Sequence, residues 1–384
     1  MAETMNMMEI SVDRFIKEIK LDLEDENYDP VIGIGKSGVG KTMSISELCE
    51  ELGIGFCELR LVTLTEIDLL GIPTIENGRT TYASNALLPD AKRDGEKGIL
   101  VLDEITSCSS TIRAAAYQLL DSKRALGNYK LPEHWKVVAL GNGIDDGGVF
   151  QGMEHAFLSR ATCYRIEPNL DSWMKWAVNK GVNSSITAFL KFDPTALHVF
   201  NPDEIASVFP CPRSWTALSK KLNAREKRNG GMLPLEQVEL YAAGTVGVKV
   251  ASEFSGFYSY NSKTVDPEDI LSWKADASVV GGVESQVIYL VLSSLVKQVT
   301  EELKAGNTGY GEFTPQCMQR AANLCKWVID VANYKLDYAM MCLNDLAQVS
   351  IFSDLVLICE DFDEVCPEFI KFANANKLAF GSVK

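Results

Sequence analysis

A glycine-rich segment between an apolar run and a helical run constrains this chain more than any other feature. Residues 35–42 read GKSGVGKT, so a lysine and a threonine directly follow the last glycine. The apolar run PVIGIG precedes this segment, and MSISELCEEL, which has helical character, follows it. Glycines let backbone N–H groups turn inward around an anion, and the start of a helix adds partial positive charge. The order strand, loop, helix therefore predicts a site for a chain of phosphates.

Each position of the loop has an expected part in this phosphate site. We expect Lys41 to reach the β- and γ-phosphates of a nucleotide, and the Thr42 hydroxyl to ligate Mg²⁺. The rest of the loop would surround the phosphates: Gly35, Lys36, Ser37, Gly38, Val39 and Gly40. A nucleoside triphosphate and Mg²⁺ are the predicted ligands, and both ATP and GTP fit at this point because these motifs read only phosphates.

An apolar strand that ends in two acidic residues supplies the second part of the predicted site. The stretch GILVLDEIT covers residues 98–106 and brings Asp103 and Glu104 to the end of the strand. Open α/β sheets bind ligands at the carboxyl ends of their strands. We expect Asp103 to hold Mg²⁺, directly or through water, and Glu104 to orient and deprotonate the attacking water. A base beside the metal favours hydrolysis over transfer to an organic acceptor.

The alternation of short apolar runs with helical patterns predicts the fold class. Five β-rich runs cover residues 30–35, 57–62, 98–103, 137–141 and 162–167. Apolar strands separated by helices indicate a parallel sheet with helices on both faces. Residues 8–26 look like a short amphipathic helix that ends in an acidic run. After about residue 170 we expect helices and no strand, with helical segments at 213–228, 235–257, 284–305 and 315–348.

These motifs together resemble the AAA+ ATPases, and more narrowly their MoxR-like branch with its dynein-related relatives. The resemblance covers roughly residues 28–260. It implies a P-loop NTPase fold with a parallel sheet of strand order 5-1-4-3-2 and a helical lid, here followed by a helical extension. The corresponding domains are an N-terminal helix and acidic connector (1–27), the α/β nucleotide-binding core (28–195), the lid (196–275) and a C-terminal helical region (276–384).

The resemblance also assigns catalytic roles to an asparagine and an arginine outside the two motifs. Asn142 ends the run KVVALGN and matches the sensor-1 position, which helps to place the water against the γ-phosphate. Arg160, after a predicted helix, matches the arginine finger that reaches the nucleotide of the neighbouring subunit. Its surroundings read Ser-Arg-Ala, whereas MoxR-like proteins more usually have Asp-Arg-Phe. Arg113 and Arg124 are the alternatives for the finger.

Further segments resemble the same family. Arg213, in CPRSW, matches the sensor-2 position, from which it would contact the γ-phosphate within the same subunit; a solvent-facing arginine is the plainer alternative. Residues 59–91 and 119–142 resemble the stretches that carry insertions in the MoxR-like branch. Tyr82 and Tyr129 in these stretches are candidates for touching a substrate in a central pore, with packing into the fold as the other interpretation.

The resemblance implies a homo-oligomeric ring, expected to be a hexamer, that hydrolyses ATP and so remodels a partner protein as a chaperone does. MoxR-like proteins are often paired with a partner that carries a von Willebrand A or similar metal-binding domain, and we expect such a client here. Two alternatives remain open. One is a nucleotide-dependent motor or clamp on nucleic acid, or a GTP-using relative, and the other is a scaffold that binds ATP without hydrolysing it.

Composition bears on partners and location. The formal net charge of −15 argues against binding nucleic acid chiefly through its phosphates. The ten cysteines form no CxxC pair and there are only three histidines, so neither a disulfide framework nor a zinc site fits. We read the cysteines as small apolar side chains in a reducing cytoplasm. No apolar run approaches the ~20 residues of a membrane span, and the first residues do not resemble a signal peptide.

Two remaining features concern the helical part of the chain. The stretch 352–371 holds six acidic residues and one basic residue. We expect it to present a solvated face, with an acidic docking surface as the alternative. The six tryptophans have apolar neighbours in sequence, so we expect all of them to pack in cores.

Overall fold

The protein forms two compact units in a computed structural model that describes residues 7–83, 86–143, 158–201, 208–309, 311–376 and 378. The first unit comprises Met1–Asn169 and Phe200–Ile205, and the second comprises Leu170–Val199 and Ala206–Lys384. Residues 170–195, which we assign to the core domain by sequence, group with the second unit. The four domain boundaries stay predictions, because compact units and functional domains need not coincide.

The first unit is built from strands that alternate with helices and two hairpins. In chain order its elements are β1 (Met8–Ile10), α1 (Val12–Glu24), β2 (Val31–Gly35), α2 (Lys41–Leu52), β3 (Gly55–Arg60), a 3₁₀ turn (Leu61–Thr63), α3 (Glu66–Leu70), β4 (Pro73–Glu76), β5 (Arg79–Tyr82), α4 (Ala91–Asp94), β6 (Lys97–Asp103), α5 (Ser110–Leu120), β7 (Ala125–Leu126), β8 (Tyr129–Lys130), β9 (His134–Gly141) and β10 (Thr162–Ile166). A six-stranded parallel sheet of order β1-β10-β2-β9-β6-β3 forms its centre.

The five predicted strands have the order that the family resemblance implies. With those strands numbered along the chain, the sheet reads 5-1-4-3-2 from β10 to β3. The strand β1 is an addition at the β10 edge, where sequence predicted only a helix over residues 8–26. A three-residue strand is too short to show alternation, so the sequence pattern could not reveal it. The helix itself is present but begins at Val12.

Helices cover both faces of this sheet, which explains why its central strands are apolar almost throughout. On one face α1 and α2 contribute Phe15 and Ile45 to an apolar cluster with alternate residues of the strands. On the other face α5 contributes Ile112 and Leu119 to a second cluster. All five residues of β2 are buried, so the loop that follows β2 starts from a firmly held strand.

Both segments with predicted insertions contain hairpins. The turn between β4 and β5 consists of Asn77 (φ 50°) and Gly78 (φ 73°), as two-residue hairpin turns require. The exposed side chain of Tyr82 ends that hairpin. Tyr129 starts β8, is half-buried and donates its hydroxyl to the Pro89 carbonyl oxygen at 2.8 Å. The packed interpretation is therefore confirmed for Tyr129, while Tyr82 remains available for contact.

The second unit is helical. Its elements are α6 (Leu170–Asn179), α7 (Ser184–Phe192), a 3₁₀ turn (Pro194–Leu197), α8 (Pro212–Asn229), α9 (Leu235–Val246), α10 (Val248–Tyr258), a 3₁₀ turn (Ser259–Lys263), α11 (Pro267–Leu271), a 3₁₀ turn (Ala277–Val280), α12 (Ser285–Gly306), β11 (Asn307–Gly309), β12 (Glu312–Phe313), α13 (Pro315–Ala332), α14 (Leu336–Gln348), α15 (Ser350–Leu357), α16 (Glu360–Val365) and α17 (Pro367–Ala375). All four predicted helical segments are present.

Three expectations about this helical part were wrong in detail. The segment 235–257 is divided at Gly247, whose φ of 88° ends a right-handed helix. The segment 315–348 is divided between α13 and α14. The antiparallel pair of β11 and β12 occurs where we expected no strand; strands of two and three residues leave no periodic signal.

The tryptophans and the acidic stretch can also be placed. Trp273 is 51% exposed, so the expectation that all six tryptophans pack in cores was wrong. In the acidic stretch, Phe352, Phe362 and Phe369 pack edge-to-face in the core. The acidic residues Asp361, Asp363, Glu364 and Glu368 are exposed, as expected of a solvated face.

The structure can be compared with what composition predicts about disulfides, metal sites and membrane spans. All ten cysteines are free and seven of them are buried, as small apolar side chains would be. In the described ranges, no cluster of three or more His, Cys, Asp and Glu residues could hold a metal ion by itself. No single described helix is long and apolar enough to cross a membrane. The pair Leu336–Gln348 and Ser350–Leu357 meets that criterion only when joined, and it is bent by 89°.

Arg320 joins three helices of the second unit through two carboxylates. Its guanidinium donates to Glu268 at 2.6 and 2.8 Å and to Glu302 at the same two distances, which links α13 to α11 and α12. The hydrogen bond from Arg320 lowers the pKa of Glu268. A carboxylate whose pKa is lower in the folded state stabilises the fold above its unfolded pKa. This contribution is lost as the pH falls through the folded pKa.

We expect Arg320→Met to lower the melting temperature by about 2–4 °C at pH 7. The difference from wild type should shrink as the pH falls from the ordinary pKa of a glutamate through the lower pKa that Glu268 has in the folded wild type, because below that lower pKa Glu268 is protonated in both folded proteins. Calorimetry at pH 7 and at about pH 3, more than a pH unit below the ordinary pKa of a glutamate, tests this. Lys274→Met, which removes an exposed charge 4.0 Å from Asp269, is the matched control. A difference of equal size at both pH values would contradict the assignment.

Candidate functional site

The glycines of residues 35–42 adopt the conformations that the predicted phosphate loop requires. Gly38 has a φ of 77° and Gly40 a φ of 102°, which glycine adopts without strain. At Gly35 a Cβ would collide with the carbonyl oxygen of Ile166 on the neighbouring strand β10. Gly40 caps α2, so the first N–H groups of that helix lack intrahelical acceptors and border the loop.

The other three residues between β2 and α2 differ in their surroundings. Val39 is 7% exposed and joins the apolar cluster beneath the loop, which anchors the loop to the sheet. The Lys36 ammonium lies 3.7 Å from a Glu167 carboxylate oxygen just beyond β10. Ser37 lies in the turn itself. Their predicted contribution, through backbone groups around the phosphates, stays a prediction.

The Lys41 side chain is 8% exposed and is held by oxygen atoms on both sides of the loop. Its Nζ donates to the carbonyl oxygens of Gly35 at 2.6 Å and Lys36 at 2.9 Å, and to Asn142 Oδ1 at 3.3 Å. These three acceptors are neutral, so they orient the ammonium without cancelling its charge. The contact with Asn142 joins residues 101 positions apart in the sequence.

Thr42 and Asp103 lie in direct contact. Thr42 Oγ1 donates to Asp103 Oδ2 at 2.8 Å, and this bond links α2 to the end of β6. A hydroxyl and a carboxylate are the oxygen ligands that Mg²⁺ prefers, and Mg²⁺ at nucleotide sites completes its shell with water and phosphate oxygens. The two side chains therefore fit the predicted metal, and they are the residues that would hold it.

Glu104 adopts a backbone conformation that is unusual for a residue with a side chain. Its φ of 60° costs about 1–3 kcal/mol in a residue other than glycine. The turn is held because the Glu104 N–H donates to Asp103 Oδ1 at 2.8 Å and the Glu104 carbonyl accepts from the Ser107 N–H at 3.0 Å. Over the ranges that the structure describes, no hydrogen bond or ion pair engages its half-buried carboxylate. Such strain at a polar residue is typical of functional sites.

Asn142 lies just after β9, and its main chain is held by a residue that sequence analysis missed. Thr106 Oγ1 accepts from the Asn142 N–H at 3.0 Å and donates to the Asn142 carbonyl at 3.1 Å. Thr106 follows Glu104 by two positions in the turn 104–107, where a threonine beside other polar residues gave no signal of this role. The structure thus brings together five predicted residues: Lys41, Thr42, Asp103, Glu104 and Asn142.

The arginines can be ranked by their exposure. Arg160 is exposed in the turn before β10, whereas Arg113 is 5% exposed on α5. Arg124 is half-buried and donates to the Glu133 carbonyl at 2.9 Å, and burial lowers its pKa. Exposure therefore favours Arg160 for contact with another subunit. The helix predicted to end in Arg160 belongs to the segment that begins at residue 152, and its part up to residue 157 lies outside the described residues.

Arg213 belongs to the second unit. It is exposed at the second position of α8, directly after Pro212, which begins the helix as proline favours. Its predicted contact with the nucleotide stays a prediction.

Comparison with known proteins finds a family model that matches part of the chain. The family model described as AAA domain (dynein-related subfamily) matches residues 30–161, about a third of the chain. No curated protein sequence matches this chain. A solved structure of a "putative ATPase" from Cytophaga hutchinsonii is 12% identical at a TM-score of 0.31, over 61% of this chain and 81% of that one, and a likeness this low supports no argument. The matched region, the strand order and the phosphate loop show that the chain carries an AAA domain with the α/β P-loop fold of the AAA+ ATPases, followed by a helical C-terminal region.

Proposed function

We propose that this protein is a Mg²⁺-dependent ATPase that works as an AAA+ ring of the MoxR-like type and remodels or activates a partner protein. One observation carries the hydrolytic part of the proposal. Residues of motifs far apart in sequence are in direct contact, Thr42 with Asp103 at 2.8 Å and Lys41 with Asn142 at 3.3 Å. A glycine-rich turn with no phosphate-binding role would not be expected to contact the acidic end of another strand.

Each residue has a definite role in the proposed hydrolysis. Lys41 and the loop N–H groups bind the phosphates, while Thr42 and Asp103 hold Mg²⁺. When held there, Mg²⁺ would supply positive charge against the phosphate oxygens. The Glu104 carboxylate orients a water and accepts its proton. Because Asn142 Oδ1 accepts from Lys41, the amide nitrogen of Asn142 is left to donate to that water or to a phosphate oxygen.

Phosphate release by the purified full-length chain tests the proposal. We expect release from ATP in the presence of Mg²⁺ and its loss when EDTA removes the metal. GTP measured in parallel decides which nucleotide the site prefers. Nucleotide-dependent assembly without phosphate release from ATP or GTP would contradict hydrolysis and support the scaffold alternative.

The ring and its arginine finger give a separate prediction. Arg160→Ala should lower the hydrolysis rate of the assembled ring by about 10³-fold, while nucleotide affinity stays nearly unchanged, because the finger stabilises charge only in the transition state. Phosphate release at concentrations where sedimentation shows assembly is the measurement. Arg14→Ala, which removes an arginine from the surface of α1, is the control.

Mixed rings sharpen this test. Lys41→Ala subunits would lack nucleotide but keep Arg160, and Arg160→Ala subunits would bind nucleotide but lack the finger. If the finger acts on the neighbouring subunit, mixing the two inactive variants restores part of the activity. Arg160→Ala rings that hydrolyse at the wild-type rate would show that the finger is another residue.

The partner remains a proposal from the family resemblance. The net charge of −15 supports a protein client over nucleic acid, and the ten free cysteines support a reducing cytoplasmic location. We propose a client with a von Willebrand A-type or similar metal-binding domain. Phosphate release measured with and without such a client should differ, whereas stimulation by DNA that weakens with salt would favour the motor or clamp.

A further inference from the structure

The side chain of Thr106 is 1% exposed, and both hydrogen bonds of its hydroxyl go to the main chain of one residue. The hydroxyl accepts from the Asn142 N–H at 3.0 Å and donates to the Asn142 carbonyl at 3.1 Å. A hydroxyl that satisfies both main-chain groups of one residue holds that residue against translation and rotation. The side chain of Asn142 contacts Lys41, so the hold lies one residue from the phosphate site.

This link lies where the regular sheet has already ended. The pairing of β6 with β9 runs from Lys97 with His134 to Leu102 with Ala139. Beyond that point one further main-chain bond connects the two segments, from the Ile105 N–H to the Leu140 carbonyl at 2.9 Å. Together with the two Thr106 bonds, it joins the turn that carries Glu104 to the segment that carries Asn142.

Gly141 makes room for this contact. A Cβ at that position would lie 2.6 Å from Thr106 Cγ2 and 2.8 Å from Thr106 Oγ1. The absence of a side chain thus lets the threonine pack directly on the end of β9. The methyl group fills the space, and the hydroxyl makes the hydrogen bonds.

We propose that Thr106 is a positioning residue for hydrolysis, which fixes Asn142 relative to Glu104. The inference rests on the proposed hydrolytic function of this site. Thr106 is buried and acts through Asn142, so it touches neither nucleotide nor water. A displacement of about 1 Å in a catalytic constellation can cost on the order of 10²-fold in rate, which is the scale on which such a hold matters.

Two substitutions of Thr106 separate the hydroxyl from the shape of the side chain. Thr106→Val keeps the shape and removes both hydrogen bonds, whereas Thr106→Ser keeps the hydroxyl. We expect the valine variant to lower kcat about 10-fold or more, with KM and the affinity for a non-hydrolysable ATP analogue within about threefold of wild type. The serine variant should retain kcat within about threefold. A valine variant with wild-type kcat, or a serine variant as slow as the valine variant, would overturn the proposal.

A double-mutant cycle excludes a merely structural role. In an Asn142→Ala background Thr106→Val should cause little further loss of kcat, because the side chain it positions is gone. An equal loss in both backgrounds would show a general effect on the fold and would overturn the proposal. If the wild-type chain releases no phosphate, the proposed function fails, and this inference fails with it. If wild type hydrolyses ATP and Thr106→Val has the same kcat, the inference about Thr106 fails while the proposed function stands.

Discussion

Glu104→Gln is expected to lower the rate of ATP hydrolysis by about 10²–10⁴-fold while nucleotide affinity stays close to that of wild type. Glutamine preserves the size of the side chain and the turn at φ 60°, but its amide cannot accept the proton of the attacking water. Binding should persist because the contacts of Lys41, Thr42 and Asp103 are untouched. Phosphate release at saturating ATP gives the rate, and a fluorescent ATP analogue gives the affinity.

The control for this substitution removes the charge of a carboxylate that lies in the same unit but is not part of the site. Glu51 lies on the surface of α2 and pairs with Lys20 at 2.7 Å. Glu51→Gln should hydrolyse ATP at the wild-type rate. Glu104→Gln hydrolysing at that rate as well would show that another group is the base.

Lys41→Ala is expected to lower the affinity for nucleotide by about 10²-fold or more, so that little nucleotide is bound at ordinary concentrations. The ammonium of Lys41 and a phosphate of the nucleotide would form a buried charge pair, and truncating one member of such a pair costs about 2–5 kcal/mol. The alanine also leaves the Gly35 and Lys36 carbonyls without the ammonium that now joins them to Asn142. Isothermal titration with ATP and with a non-hydrolysable analogue measures the loss, and circular dichroism checks that the fold is retained.

Lys20→Ala is the matched control, because it removes a lysine of α1 that makes a surface ion pair with Glu51. It should bind ATP as wild type does. The expected loss of affinity for Lys41→Ala is about 10²-fold or more. If the variant bound ATP within about threefold of wild type, Lys41 would not be a phosphate ligand.

The residues of the site that could be predicted from sequence are those that directly follow or end a predicted strand. The phosphate loop follows β2, and the acidic pair ends β6. In a parallel sheet these ends meet at one edge, which predicted that both motifs contribute to one site. The structure shows in addition that Thr42 and Asp103 are in direct contact there. The strand order could be expected only through the family resemblance, because apolar runs carry no record of which run lies beside which.

Other features depend on partners that sequence patterns do not encode. Residues 8–10 become a strand because β10 offers them an open edge. Thr106 matters through the main chain of Asn142, which is 36 positions away and whose amide groups look the same in any residue. Trp273 is exposed after α11, where its immediate neighbours in sequence are the polar residues Ser272 and Lys274, so an expectation based on residue type alone was wrong there.

Single-turnover hydrolysis decides whether this protein cleaves ATP with Glu104 as the base, because it observes the chemical step apart from product release. The full-length protein, in excess over ATP and with Mg²⁺ present, is mixed and quenched at intervals, and bound ATP and ADP are quantified. The proposed mechanism predicts that wild type converts bound ATP to ADP, whereas Glu104→Gln binds the same amount and retains it as ATP. Bound ATP that stays intact on the wild-type protein, or that is cleaved equally fast by Glu104→Gln, would contradict it.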